Sequence, residues 1–153
     1  MRFNLFLLLL VFCAKEGQAQ FDLAQPYATV VAFFEAFHQK DQSRLEAAFH
    51  EEATLQSTRV NASGITVLRT VNISDFIQGV VQRSQAPVWE EKLGSPSILL
   101  DVPMAQVWVP YQFLLDGKLS HCGVNNFTLL WQDGRWKILH IIDTRQAECN
   151  DLY

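Results

Sequence analysis

His140, Asn125 and Trp108 are the residues whose chemistry stands out in the second half of the chain. A neutral imidazole beside an amide and an indole can hydrogen-bond to a flat ring or an enolisable ketone and stack on it. Because the ordinary pKa of an imidazole is about 6.5, His140 could also act as a general base. We therefore interpret His140 as the candidate catalytic residue. The alternative is a core histidine whose ring is satisfied by Asn125 or by a backbone group.

Two further residues complete the predicted ligand-binding set. Phe127 lies two residues beyond Asn125 and would add an aromatic wall, and His121 lies six residues before Phe127. Six strand residues span about 20 Å, which is too far for His121 to share a metal or a catalytic dyad with His140. We therefore place His121 at the rim of the site. The predicted ligand-binding set is Trp108, His121, Asn125, Phe127 and His140.

Other kinds of chemistry leave no signature in the sequence. No cluster of His, Asp and Glu has metal-ligand spacing, and no nucleophile elbow, phosphate-binding loop or dinucleotide fingerprint is present. We therefore predict no metal and no cofactor. The formal net charge is -4, and a mildly acidic chain without a basic cluster is a poor nucleic-acid binder.

The elements that must position these residues follow a simple order, with helices first and strands afterwards. Apolar residues at three- and four-residue spacing predict a helix over residues 23–40, Asp41 begins a shorter second helix, and Asn72 or Ser74 can cap a third. β-Branched runs around the turn at residues 61–64 predict a hairpin. The later strands are predicted over residues 89–100, 104–115, 118–131 and 135–145. This order is typical of an α+β fold.

Two Asp-Gly pairs set the predicted register of the last three strands, and they stand at residues 116–117 and 133–134. If both are two-residue loops, Trp108 lies opposite Asn125, and Phe127 lies opposite His140. These side chains then share one face with other large aromatics and isolated polar groups. That composition is typical of a ligand cavity, so we assign this face to the helices and the pocket.

The same register places the carboxylates on the opposite, convex face. Asp143 and Arg145 would form a structural ion pair there, and no acidic residue of the later strands would face the pocket. A slip of one residue would turn Asp143 inward. Bulges that could cause such a slip are possible near Pro103, Pro110 and Gly123.

The convex face is itself too apolar for a simple solvent face. It carries aliphatic side chains interspersed with Thr128, Asp143 and Arg145, which fits a subunit interface. We therefore predict a homodimer through the convex sheet face. The alternative is that the protein's own loops cover it.

The first 19 residues have the features of a secretory signal peptide. Arg2 supplies the positive charge, residues 5–14 form an apolar run too short to span a bilayer, and small residues precede the bond after Ala19. We expect cleavage there, which leaves residues 20–153 as a single domain in the periplasm or secreted. The alternative is an uncleaved N-terminal anchor. No later stretch is long and apolar enough to span a membrane, so no membrane contact is expected after cleavage.

Two cysteines, Cys122 and Cys149, remain in the expected mature chain. Export makes a disulfide chemically possible. Nothing in the sequence forces the two residues together, because one lies within a predicted strand and the other lies in the tail. We therefore favour two separate thiols, with the pairing left open.

Several stretches resemble a known family. Residues 31–37, with Asp41 and Leu45 after them, are similar to the opening helices of nuclear-transport-factor-2-like proteins. Residues 117–127 and 133–138 resemble the last two strands of those proteins. The resemblance covers essentially the whole mature chain and is nearest to the uncharacterised SnoaL-like or lumazine-binding-like branch. It implies a cone, in which a bent antiparallel sheet wraps around the first helix and dimers form across the convex face.

The resemblance leaves function open, because this fold hosts isomerases, dehydratases, hydrolases and non-catalytic binders. Its catalytic members place a carboxylate base inside the cone, which the predicted register does not. Our first hypothesis is therefore an exported pocket protein that binds a small, mostly apolar or aromatic molecule without turning it over. The second is a proton-transfer enzyme, of isomerase or dehydratase type, that uses His140 as base. The third is a homodimeric interaction protein whose cone is filled.

Overall fold

The computed structural model describes residues 24–149 of the chain. Its helices are α1 (Ala24–Gln39), α2 (Gln42–Ala48) and α3 (Ile73–Gln82). Its strands are β1 (Phe49–Val60), β2 (Thr66–Val71), β3 (Trp89–Leu93), β4 (Ser97–Asp101), β5 (Met104–Leu115), β6 (Lys118–Gln132) and β7 (Arg135–Thr144). The expected signal peptide and its cleavage site lie outside the described residues. Within residues 24–149, no helix is long and apolar enough to cross a membrane.

The helix starts follow from side-chain caps that the sequence predicts. Asp41 caps α2, because its Oδ1 accepts a 3.0 Å hydrogen bond from the Arg44 amide. Asn72 caps α3, because its Oδ1 accepts a 2.8 Å hydrogen bond from the Ser74 amide. Both caps satisfy amides that the first turn of a helix leaves without an internal partner. The predicted helix order is confirmed, and α1 ends one residue before the predicted end.

The seven strands form one curved, unclosed sheet in the order β2-β1-β7-β6-β5-β3, with β4 also paired to β5. The pairing of β1 with β7 is parallel, and the other pairings are antiparallel. The expected antiparallel sheet is therefore a mixed one. No hairpin joins β1 to β7, so no turn dictates an antiparallel pairing there. The α+β class and the bent sheet over the helices are confirmed.

The single strand predicted over residues 89–100 is wrong, since it is broken into β3 and β4. Residues 94–96 separate the two pieces, and Pro96 supplies no amide hydrogen for a ladder. The Gly94 amide donates a 2.8 Å hydrogen bond to the carbonyl of Pro110 in the middle of β5. β3 and β4 therefore run along the two halves of β5, on either side of this point.

Both Asp-Gly turns are two-residue loops, as predicted. Asp116 and Gly117 have φ of 49° and 72°, and Asp133 and Gly134 have φ of 52° and 77°. Positive φ at both central residues is the conformation that joins twisted antiparallel strands with two residues. Leu115 pairs with Lys118 beside the first turn, as the predicted register requires.

Each ladder then slips by one residue because a bulge follows each turn. On β6, Leu119 pairs with Leu114 whereas His121 pairs with Phe113, so Ser120 is the extra residue. On β7, Ile138 pairs with Leu129 whereas His140 pairs with Thr128, so Leu139 is the extra residue. One extra residue on a strand moves all later side chains of that strand to the opposite face, relative to the neighbouring strand.

The predicted register is therefore wrong beyond both bulges. Val109, not Trp108, lies opposite Asn125. Asp143 is the β7 residue opposite Asn125, and Ile141 is the one opposite Phe127. Asp143 consequently faces inward, which is the outcome that a one-residue slip predicts. The bulges lie at Ser120 and Leu139, not beside the prolines.

Aromatic side chains of α1 fill the closed end of the concave face. Phe127 is fully buried, and its ring centroid lies 6.0 Å from those of both Phe33 and Phe34. Phe37 stacks on Phe76 of α3 at 6.3 Å. Edge-to-face and offset stacks of this kind add to the burial of apolar surface. This cluster fixes α1 and α3 against the sheet and leaves the open end to polar side chains.

Cys122 and Cys149 form a disulfide, with Cα atoms 5.8 Å apart. The preference for separate thiols is therefore wrong. The chain after β7 returns to β6, where Cys122 and Gln146 exchange backbone hydrogen bonds of 3.0 and 2.9 Å. That short bridge carries Cys149 to Cys122, and the sequence offered no sign of it.

Candidate functional site

A cleft of about 1380 Å³ lies between the helices and the concave face of the sheet. One wall comes from α1 and α3 and is largely aromatic, with Phe33, Phe37 and Phe76 among its residues. The other wall consists of inward-facing side chains of the strands and carries most of the polar groups. A mostly apolar cavity with a few convergent polar groups is the usual form of a small-molecule site.

Glu91 extends from β3 into this cleft and meets Asn125 of β6. Asn125 is buried, and its Nδ2 donates a 2.6 Å hydrogen bond to Glu91 Oε1. The Glu91 amide donates in turn to His38 Nε2 of α1 at 2.9 Å. Nε2 therefore carries no proton. Burial lowers the pKa of His38, which also favours the neutral ring. The backbone of Glu91 is thus held by α1, and its carboxyl group is held by β6.

Asp143 lies beside Asn125 across the β6–β7 ladder. The Tyr111 hydroxyl is 3.2 Å from Asp143 Oδ2 and 3.0 Å from the carbonyl oxygen of Thr144, so it can donate to either. Arg145 Nε lies 3.8 Å from Asp143 Oδ2. The Asp143 side chain is only 12% exposed. Asn125 therefore has two neighbouring carboxyl groups, Glu91 of β3 and Asp143 of β7.

The two carboxyl groups differ in their electrostatic surroundings. Burial raises the pKa of Glu91 to about 8; the Asn125 hydrogen bond opposes this shift, and the charge of Asp143 adds to it. Burial also raises the pKa of Asp143, but a Ser57 hydrogen bond and the charge of Arg145 lower it. Glu91 is therefore mostly protonated at neutral pH. Partners of both groups favour the ionised form, but only Glu91 has a neighbouring carboxylate, Asp143, whose charge raises its pKa further.

His121 of β6 lines the cleft. Its ring stacks on Phe113 with centroids 4.8 Å apart, and its Nδ1 is 3.2 Å from the Ser120 hydroxyl. Burial and the positive charge of Arg145 lower the pKa of His121 to about 4. The ring is therefore neutral at physiological pH and can offer a hydrogen-bonding atom and a flat face to a ligand.

The predicted site residues divide between the two faces. Asn125, Phe127 and His121 line the cleft. Trp108 lies on the outer face with 49% of its surface exposed, so its predicted place in the pocket is wrong. His140 also lies on the outer face, where its Nε2 is 3.1 Å from Gln56 Oε1. Its assignment as a base inside the cone is therefore wrong, because the Leu139 bulge turns it away.

Sequence reasoning missed Glu91, Tyr111 and Asp143 as residues of the cleft. The register error places Asp143 on the convex face. Glu91 had a usable signal, since period-two alternation puts it on one face with Trp89, which an aromatic core would draw inward. Trp89 does pack on Phe37 of α1, at 6.2 Å.

The chemistry of the cleft is that of carboxyl, amide, phenol and guanidinium groups. Within residues 24–149, no group of three or more His, Cys, Asp or Glu side chains is arranged to hold a metal ion. Paired carboxyl groups with unequal pKa values can donate and accept protons without one.

Comparison with known proteins shows similarity of fold but no significant similarity to a protein family or a curated protein. No protein-family model matches the sequence, and no curated protein matches it significantly. An NTF2-like protein of unknown function from Shewanella baltica is 14% identical with a TM-score of 0.59, over 82% of this chain and 94% of that one. An NTF2-like protein from Cytophaga hutchinsonii is 15% identical with a TM-score of 0.61, over 78% and 94%.

A third similar structure comes from Streptomyces avermitilis and is provisionally assigned as a dehydratase of the NTF2-like family. It is 13% identical with a TM-score of 0.59, over 83% of this chain and 97% of that one. These likenesses span most of both chains at very low identity, so they show the fold alone. The chain has the nuclear-transport-factor-2-like fold, as the sequence resemblance implies.

Proposed function

We propose that the cleft binds a small, largely apolar molecule whose polar end meets the Glu91–Asn125 pair. This proposal rests on the hydrogen bond that a buried amide, Asn125, donates to the part-buried carboxyl group of Glu91 at the wall of an aromatic cavity. A carboxyl group with a raised pKa and a specific polar partner at the wall of a cavity is typical of functional sites. The filled-cone hypothesis is disfavoured by a cleft of about 1380 Å³.

A thermal-shift screen against a small-metabolite library tests this proposal. A true ligand stabilises the folded state by roughly 2.7 kcal/mol when present at a hundredfold excess over its Kd. We expect at least one compound to stabilise the wild type and to lose that effect in Asn125→Leu. His140→Ala, on the outer face, is the matched control and should keep the effect. Compounds that stabilise Asn125→Leu as strongly as the wild type would contradict a site at this pair.

Proton transfer on the bound molecule is the second candidate function. The observation that favours it is the presence of two carboxyl groups on either side of Asn125, in unlike surroundings. A protonated Glu91 can act as general acid, and Asp143, with the Tyr111 hydroxyl on its Oδ2, can act as general base. This is the isomerase or dehydratase type of chemistry, carried by residues other than His140.

Exchange of carbon-bound hydrogen in D₂O tests the second candidate. Each stabilising compound is incubated with the protein, and the loss of its C–H signals is followed by proton NMR. General acid–base catalysis contributes about 10²- to 10⁴-fold, so we expect Glu91→Gln and Asp143→Asn each to slow exchange by at least about 10². His140→Ala should exchange at the wild-type rate. Exchange that persists in both carboxyl variants would rule out this role.

We also propose that the outer sheet face carries a homodimer interface. Leu99, Met104 and Trp108 are exposed by 68%, 49% and 49%, and the β4–β5 ladder puts all three on this one face. Apolar side chains grouped on a sheet face are typical of subunit contacts. The corrected register strengthens the argument, because it moves the indole of Trp108 onto this face.

Export is the last part of the proposal. A disulfide between Cys122 and Cys149 fits an oxidising compartment, and the N-terminal sequence has the features of a cleaved signal peptide. N-terminal sequencing of the protein from the culture medium or periplasm should begin at Gln20. A chain that stays in the cytoplasm and begins at its first residue would contradict export.

A further inference from the structure

Arginine is concentrated in the cleft. Four of the six arginines in the described part of the chain line it: Arg59, Arg69, Arg83 and Arg145. None of the four lysines in that part does. The chain as a whole has a formal net charge of -4, so the cleft is basic in an acidic protein. A concave surface lined by one sign of charge attracts ligands of the opposite sign.

The strand register brings three of these arginines together at the open end. Ser57 of β1 pairs with Arg69 on β2 and with Asp143 on β7, which puts these side chains in one row on the concave face. Arg59 and Arg145 each lie two residues further along, so they are neighbours in the next row of the same face. Neighbouring strands are about 4.8 Å apart and rows about 7 Å apart, so the three guanidinium groups can reach one bound group.

The arginines differ in what they already contact. Arg83 donates to the carbonyls of Phe37 and His38 and lies over the Phe37 and Trp89 rings, so it belongs to the packing of α1. Arg145 faces Asp143 at 3.8 Å. Within residues 24–149, Arg59 and Arg69 form no ion pair and no side-chain hydrogen bond. Two guanidinium groups at the mouth are therefore available.

Acidic groups around the cleft do not cancel this positive charge. Asp75 and Asp143 are the two acidic lining residues besides Glu91. With Glu91 protonated, four guanidinium groups face two carboxylates. The cleft therefore has a net positive charge that a bound anion would neutralise.

Resting on the proposed function of the same cleft, we infer that its ligand is an organic carboxylate with an apolar body. The carboxylate would lie between Arg59, Arg69 and Arg145, and the apolar body would extend towards the phenylalanines of α1. Planar guanidinium groups match the two oxygens of a carboxylate, and such charge-assisted hydrogen bonds are about twice as strong as neutral ones. The uncharged polar end of the same molecule would then meet Glu91 and Asn125.

A matched pair of probes tests this inference on the full protein with its disulfide intact. The probes are 2-naphthylacetate and 2-naphthylacetamide, which share an apolar body and differ in charge. Isothermal titration calorimetry gives the Kd of each for the wild type, Arg59→Gln, Arg69→Gln and Arg44→Gln. Arg44 is exposed on α2, pairs with Glu35 outside the cleft and serves as the control.

We expect the acid to bind the wild type about tenfold more tightly than the amide, as a charged hydrogen bond warrants. The advantage should shrink at high ionic strength and in both cleft variants, while Arg44→Gln keeps it. The amide should bind all four proteins alike. Equal affinity for acid and amide, or an advantage that survives in both cleft variants, would overturn the carboxylate inference while leaving a binding cleft in place.

Two further outcomes bear on the source of the anion and on the cleft itself. Inorganic phosphate that displaces the acid at equal concentration would overturn the choice of a carboxylate. Failure of both probes to bind the wild type would count against the apolar cleft site and therefore against the proposed function as well as this inference.

Discussion

At the scale of single residues, Glu91 is the most informative group in the molecule. Its pKa in the folded protein is about 8, against an ordinary value of 4.5. Below pH 4.5 the group is protonated in both folded and unfolded chains, so its full contribution to stability is present. Between these two values only the folded chain keeps the proton, so the free energy of unfolding falls as pH rises.

We therefore expect the wild type to lose stability towards alkaline pH, by up to about 1.4 kcal/mol per pH unit within this window. Glu91→Gln removes the titrating group and should show a flatter profile. Urea unfolding of both proteins at a series of pH values measures the difference. Profiles that run parallel through this window would contradict a buried, protonated Glu91.

Gly123 is the second residue on which the site depends. A Cβ there would overlap the carbonyl of Thr144 and come 3.0 Å from the Tyr111 ring. The absent side chain lets Tyr111 lie across the strand and reach Asp143. Gly123→Ala should therefore destabilise the fold by about 1–3 kcal/mol, the range for overpacking.

Gly79 provides the matched comparison for this prediction, since a Cβ at that position meets nothing within 4 Å. Gly79→Ala in α3 should raise stability by up to about 1 kcal/mol because alanine favours a helix over glycine. Equilibrium denaturation of both variants gives the two free energies. An equal effect of both substitutions would show that the approach to Thr144 does not matter.

At the scale of elements, the Cys122–Cys149 disulfide anchors the segment that follows β7. It joins β6 to the chain after β7 across 27 residues. A cross-link over a loop of this size typically stabilises by about 2–4 kcal/mol, chiefly by restricting the unfolded chain. We expect Cys149→Ser to lose about that amount in urea unfolding. Reductant should lower the free energy of unfolding of the wild type to that of the variant and leave the variant unchanged. A wild type whose stability does not respond to reductant would contradict this role of the disulfide.

The elements also differ in how well the sequence predicts them. Helices α1 to α3, their caps and both Asp-Gly turns depend on neighbouring residues, and they were predicted correctly. The bulges at Ser120 and Leu139 depend on how whole strands twist and pack, and no local residue pattern marks them. Because side chains alternate, each one-residue error exchanged the two faces. That is why His140 was chosen and Asp143 was not, although both lie in the same correctly predicted strand.

At the scale of the whole molecule, the sheet separates two surfaces of different composition. The concave surface holds the cleft, and the outer surface exposes Trp108 and its apolar neighbours. We expect the protein to sediment as a dimer and Trp108→Glu to sediment as a monomer, because a charge at the centre of an apolar interface is costly. Val60→Glu, an exposed position at the end of the β1–β2 hairpin, should remain dimeric.

A monomeric wild type at high protein concentration would contradict the interface. Sedimentation velocity over a range of concentrations distinguishes these cases. The result would not affect the cleft, whose described residues all come from one chain.

The cleft is defined by two carboxyl groups, those of Glu91 and Asp143, that flank Asn125. Its most direct test is a titration of side-chain carboxyl carbons by NMR, with Glu91→Gln used to assign the Glu91 signal. We expect a Glu91 pKa of about 8 and an Asp143 pKa above its ordinary 3.8. If the Glu91 signal titrates near 4.5, the carboxyl group lies in water, and the site described above does not exist.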